Sequence, residues 1–148
     1  MSLRKFLNNL IIFLVFFCPQ INAEDFYYDY KILDVIDADT LRIEVDFLPK
    51  PLKPNLLLRI YGIDTPEKGN RAKCLDERNL SEEATFFVKK IISENKNNKI
   101  IIKKWDKYGG RVLGDVLIGN NLLSEILLDK KFAKPYFGEK KESWCQKR

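Results

Sequence analysis

The stretch Leu41-Arg42-Ile43-Glu44-Val45-Asp46-Phe47 decides the fold, because apolar and charged residues alternate along it one for one. That is the period of a strand with one face in a core and the other in water. Upstream, Phe26 to Ile36 is aromatic and β-branched and predicts a first strand, joined to the second by a turn at Asp37-Ala38-Asp39. Downstream, Leu48 to Asn55 carries three prolines, which blocks regular pairing and predicts a projecting connection. Asn55 to Ile63 reads as a third strand, and Asp64 to Asn79 as a long polar loop. Asn79 with Glu82 resembles a helix-capping pair, and Leu80, Ala84, Phe87, Val88 and Ile91 then fall on one apolar helical face. Lys99–Trp105 and Arg111–Ile118 predict strands four and five around a turn at Asp106 to Gly110, and Asn121 opens a short helix through Leu128. The expected class is mainly β with α: a five-stranded antiparallel barrel of the oligonucleotide-binding (OB) kind, with two or three short helices.

The chain has 148 residues, enough for one ordinary domain. It contains no histidine, which removes Ser-His-Asp and Cys-His nucleophile systems, His-ligated zinc and imidazole bases. Chemistry here has to run on Asp, Glu, Lys, Arg, Tyr or a carboxylate-bound metal. A formal charge of +5 and a pI near 9.0 permit a polyanionic partner without requiring one.

Residues 1–23 read as a secretory signal peptide: basic Arg4 and Lys5, the apolar run Leu10 to Phe17, then a polar stretch to Ala23 before Glu24 and Asp25. The run is too short for a membrane-spanning helix, which needs about 20 residues. A lipoprotein signal at Cys18 is disfavoured by the bulky Phe17. Cleavage after Ala23 lowers the charge from +5 by the two units of Arg4 and Lys5, and defines residues 24–148 as the domain. It leaves Cys74 and Cys145 in a chain bound for an oxidising compartment, secreted or periplasmic, where they form a disulfide or stay as two free thiols.

Three motifs occur in order: Asp37-Ala38-Asp39-Thr40, then Arg59 leading to Asp64-Thr65-Pro66-Glu67, then Asp106-Lys107-Tyr108-Gly109-Gly110-Arg111. Singly, each is an ordinary turn acid, strand arginine or loop. Together, over Tyr30 to Tyr136, they resemble the staphylococcal nuclease (thermonuclease) family.

The resemblance implies a calcium-dependent phosphodiesterase that cuts DNA and RNA with little base preference and leaves 3′-phosphate ends. By position, Asp39 and Asp64 match the carboxylates that bind calcium, and Thr65 the residue lending its carbonyl. These are hard oxygen donors suited to Ca2+. Two carboxylates about 4 Å apart repel by roughly 4 kcal/mol at an effective dielectric near 20, which favours a cation between them. Glu67 matches the residue that activates or orients water, and Arg59 and Arg111 the guanidiniums that hold the scissile phosphate bidentately. Lys107 and Tyr108 match contacts to a terminal phosphate, and Tyr136 an aromatic against the nucleoside.

The sequence departs from the family pattern at Ala38, where glycine is usual, and at Gly110, an added residue expected to be absorbed by the turn before Arg111. It also lacks the long terminal helix pattern after Tyr136. The expected partner is nucleic acid, DNA and RNA, met by a monomer with no stable membrane insertion. Two other readings stay open: a non-catalytic OB module that binds single-stranded nucleic acid or protein, and a structural protein of the cell envelope.

Overall fold

In the computed structural model, residues 26–47 and 55–145 are described. The expected signal segment and most of the proline-rich connection lie outside the described residues. The strands are β1 (Tyr27–Tyr28), β2 (Ile32–Asp37), β3 (Thr40–Glu44), β4 (Asn55–Ile60), β5 (Ile63–Asp64), β6 (Lys99–Trp105), β7 (Arg111–Ile118), β8 (Asn121–Leu122) and β9 (Lys134–Pro135). The helices are α1 (Leu75–Glu94) and α2 (Leu123–Asp129), with a 3-10 turn at Gly69–Arg71.

In β3 the alternation does what it predicts: Leu41 and Ile43 are buried, Arg42 and Glu44 exposed. Leu56, Leu58 and Ile60 of β4 bury the matching face. These pack with Ile100, Val116, Leu123 and Leu127, and with Ala84 and Val88 of α1, into one core. At the centre, β7 approaches β6 so closely that a Cβ on Gly114 would lie 1.8 Å from the Ile101 carbonyl oxygen.

The main sheet runs β1-β6-β7-β4-β3-β2, with β8 beside β7, while β5 and β9 form a separate pair. Two expectations are corrected here. Among the described residues the sheet is not closed into a five-stranded barrel, since β1 and β2 end the path without pairing to each other. Nor is it wholly antiparallel, because β4 and β7 run parallel from Leu57 beside Arg111 to Ile60 beside Gly114. Alternation along a strand reports its faces but not the direction of its neighbour.

Local boundaries moved for local reasons. The first strand breaks at Asp29 to Lys31, and the third stops at Ile60, where Gly62 takes φ 81° in a turn. After that turn Asp64 Oδ1 lies 3.8 Å from Arg59 Nη2 of β4. α1 starts at Leu75, four residues before Asn79, with Cys74 as its N-cap residue. The buried Glu77 in its first turn accepts the amide N–H groups of Lys73 at 2.7 Å and Glu67 at 3.2 Å, so the supposed loop end is helix. Cys74 is disulfide-bonded to Cys145, their Cα atoms 6.0 Å apart.

Candidate active site

A cleft of about 600 Å3 opens where the β2–β3 turn, β4, the segment after β5, the β6–β7 turn and the tail after β9 converge. A larger depression of about 840 Å3, between β2 and the end of α1, is lined by lysines, asparagines, Asp29, Asp34 and aliphatic side chains but no arginine. The smaller cleft holds the chemistry.

Its floor is built on Asp39, 1% exposed at the β2–β3 turn. Asp39 Oδ1 is ion-paired with Arg59 Nη1 and accepts the Thr40 hydroxyl at 3.1 Å. Asp39 Oδ2 accepts the Thr65 hydroxyl at 2.6 Å and the Thr65 amide N–H at 3.2 Å. Register places Arg59 there, because it pairs across the sheet with Thr40, the neighbour of Asp39. Arg59 Nη2 also lies 3.8 Å from Asp64 Oδ1.

Asp64 is buried and tied to the tail: Lys141 Nζ is 2.6 Å from its Oδ1, and Trp144 Nε1 donates to its Oδ2 at 3.2 Å. Glu67 is half-buried, its Oε1 3.0 Å from Lys141 Nζ and its Oε2 3.4 Å from Arg71 Nε. Burial works against the charged Lys141, but the Asp64 and Glu67 carboxylates outweigh it and raise its pKa above the usual lysine value.

The opposite wall is the β6–β7 turn. Gly110 takes φ 74° and its carbonyl accepts the Leu57 amide at 2.9 Å, so Arg111 begins β7 beside β4 and lines the cleft with Arg59. Arg111 Nε is ion-paired with Asp106, and its guanidinium lies 4.7 Å from the Tyr108 ring centroid. Lys107 sits 5.1 Å from the same ring, and Tyr136 lines the far side.

Thus Asp39, Arg59, Thr65, Glu67, Lys107, Tyr108, Arg111 and Tyr136 all line one cleft, with Asp64 just beneath it. Sequence reasoning gave no role to Asp37, Arg71, Lys141 or Trp144. Arg71 Nη2 lies 3.5 Å from Asp37 Oδ2. The pairing of Cys74 with Cys145 was the available signal that the tail returns to this site.

The acids have the chemistry of a divalent-cation site. Burial, and then the charge of Asp37, push the Asp39 carboxyl up to about 7 against the opposing pull of Arg59. Asp37 Oδ1 is itself buried and lacks a hydrogen-bond partner among the described residues. Crowded, buried, partly orphaned carboxylate oxygens fit a hard cation such as Ca2+. A second group, Cys74, Glu77 and Cys145, has its ligand atoms within 4.8 Å, but its sulfurs are spent on the disulfide.

No curated protein matches the chain. The sequence model of the staphylococcal nuclease homologue family matches residues 57–147, more than half of the chain, and takes in Arg59, Asp64, Thr65, Glu67, Lys107, Tyr108, Arg111 and Tyr136. On that match the chain belongs to the staphylococcal nuclease homologue family.

Proposed function

We propose that this protein is an exported, calcium-dependent nuclease that hydrolyses phosphodiester bonds of DNA and RNA with low sequence specificity. Family membership carries the coarser statement, a nuclease-like or nucleic-acid-binding module. The observation that favours the enzyme is the convergence of two arginines, a half-buried glutamate and buried aspartates in one cleft.

Asp39 and Asp64, with Thr65 beside them, would hold the calcium ion, with Asp37 close behind. When bound, the ion supplies positive charge at the phosphate. Arg59 and Arg111, approaching from adjacent parallel strands, hold the non-bridging oxygens and stabilise the charge that grows on them during attack. Their carboxylate partners, Asp39 and Asp106, anchor each guanidinium at the cleft in advance. Glu67 takes the proton from the attacking water as its oxygen bonds to phosphorus and the P–O5′ bond breaks, the leaving 5′ oxygen taking a proton from solvent; no imidazole is present in the chain for either transfer. Lys107 and Tyr108 meet a neighbouring phosphate, and Tyr136 offers a ring to a base, a contact that tolerates any sequence.

Residues 1–23 are the export signal in this proposal, and the disulfide suits an oxidising destination, secreted or periplasmic. Among the described residues, no helix is long and apolar enough to cross a membrane. The mature chain is proposed to act as a monomer. The test is incubation of the purified mature protein with single-stranded DNA, in calcium and then in chelator. Calcium-dependent cleavage supports the enzyme; binding without cleavage leaves a nucleic-acid-binding module.

A further inference from the structure

We propose that Lys141 is a tethered positioning cation, which holds Asp64 and Glu67 together and is displaced when a divalent ion binds. The inference rests on the metal reading above. Lys141 Nζ lies 2.6 Å from Asp64 Oδ1 and 3.0 Å from Glu67 Oε1, bridging the candidate metal ligand and the candidate base. Three residues along the tail, Trp144 Nε1 donates to the other Asp64 oxygen at 3.2 Å. Both oxygens of Asp64 are therefore engaged by the tail.

The tail is held in two places. Cys145 is bonded to Cys74 at the start of α1. Lys134 of β9 donates to the Ser143 carbonyl at 2.8 Å, and its ammonium lies 4.6 Å from the Trp144 ring centroid. A group tethered this way acts at high local concentration. Its charge neutralises the carboxylate that a divalent ion needs, and two cations at one oxygen repel each other. Lysine and metal therefore compete for Asp64. The Lys141 side chain is 41% exposed, so the ammonium has water to move into. The Tyr136 ring, 5.7 Å from Nζ, keeps it at the cleft when it leaves.

Lys141→Met keeps the aliphatic stem and removes the charge. Calcium binding to chelator-stripped protein, measured by isothermal titration calorimetry, is expected to be on the order of tenfold tighter in Lys141→Met than in the parent. Equal or weaker binding overturns the proposal. A second readout follows the tail itself. The chain has two tryptophans, so a Trp105→Phe background leaves Trp144 as the reporter, and its emission is expected to shift as calcium displaces Lys141 from the Asp64 carboxylate that the indole also contacts. Calcium binding with no change in that emission overturns the displacement and leaves the metal site standing. Absence of calcium binding in parent and variant alike strikes the metal reading, and this proposal falls with it.

Discussion

Glu67 and Arg42 make the sharpest contrast between single residues. Glu67 sits in the cleft against Lys141 and Arg71, whereas Arg42 points from β3 into water. Glu67→Gln is expected to keep the thermal midpoint within a few degrees while the cleavage rate falls by several orders of magnitude. Arg42→Ala, a surface change, is expected to move stability by less than about 0.5 kcal/mol and leave the rate alone. Equal losses in the two variants would contradict the site. Asp39 adds a pH dependence whose sign is fixed. Its carboxyl titrates at about 7 in the fold, burial being the main cause, against about 3.9 in an unfolded chain. The folded protein keeps a proton that the unfolded chain releases, so in chelator its contribution lowers stability as pH rises from about 4 to about 7. Asp39→Asn is expected to flatten that part of the profile in urea titrations at stepped pH; an unchanged slope would contradict the assignment. That Asp39, Asp64 and Glu67 come together at one cleft was legible in the sequence because their motifs are short and contiguous. The tail partners of Asp64 and Glu67 were not, since Lys141 and Trp144 reach them from more than seventy residues away.

Element boundaries show the same division. β6 and β7 begin and end where their apolar and β-branched runs do. α1 does not begin at its best local cap, because Glu77 satisfies amides of the preceding segment, an arrangement set by tertiary packing rather than by spacing. α2, by contrast, is capped from outside. Asp115, a buried residue of β7, accepts the Ser124 amide at 3.2 Å, and the Ser124 hydroxyl also donates to it. Removing such a side-chain cap costs about 1–2 kcal/mol, so Asp115→Ala is expected to lower the calorimetric midpoint while leaving the strand register intact. Gly114→Ala is expected to be far worse, about 4 kcal/mol or more. A methyl there would meet the Ile101 carbonyl, which is backbone and has nowhere to go. Soluble expression of Gly114→Ala at parental stability would refute that packing.

For the molecule as a whole, the Cys74–Cys145 bridge closes a loop with a sequence separation of 71, for which chain-entropy arguments give about 4 kcal/mol. Thermal melts with and without reductant are expected to differ accordingly, and coincident melts would remove the bridge from the account of stability. The family was legible because three motifs carry its acids and arginines in order. Sheet closure and strand direction were not, since the pattern within a strand is blind to which strand lies beside it. The parallel pair of β4 and β7 also has a kinetic meaning. Arg59 stands on one of these strands and Arg111 on the other, in register with Leu113 and Leu57 respectively. The β2–β3–β4 meander carries the first guanidinium and the β6–β7 hairpin the second, so neither local unit holds both. Such long-range pairings set the pace of folding. In a refolding experiment, the phosphate binding proposed for these arginines is therefore expected to appear with the closure of this pair rather than with the faster zipping of the hairpins.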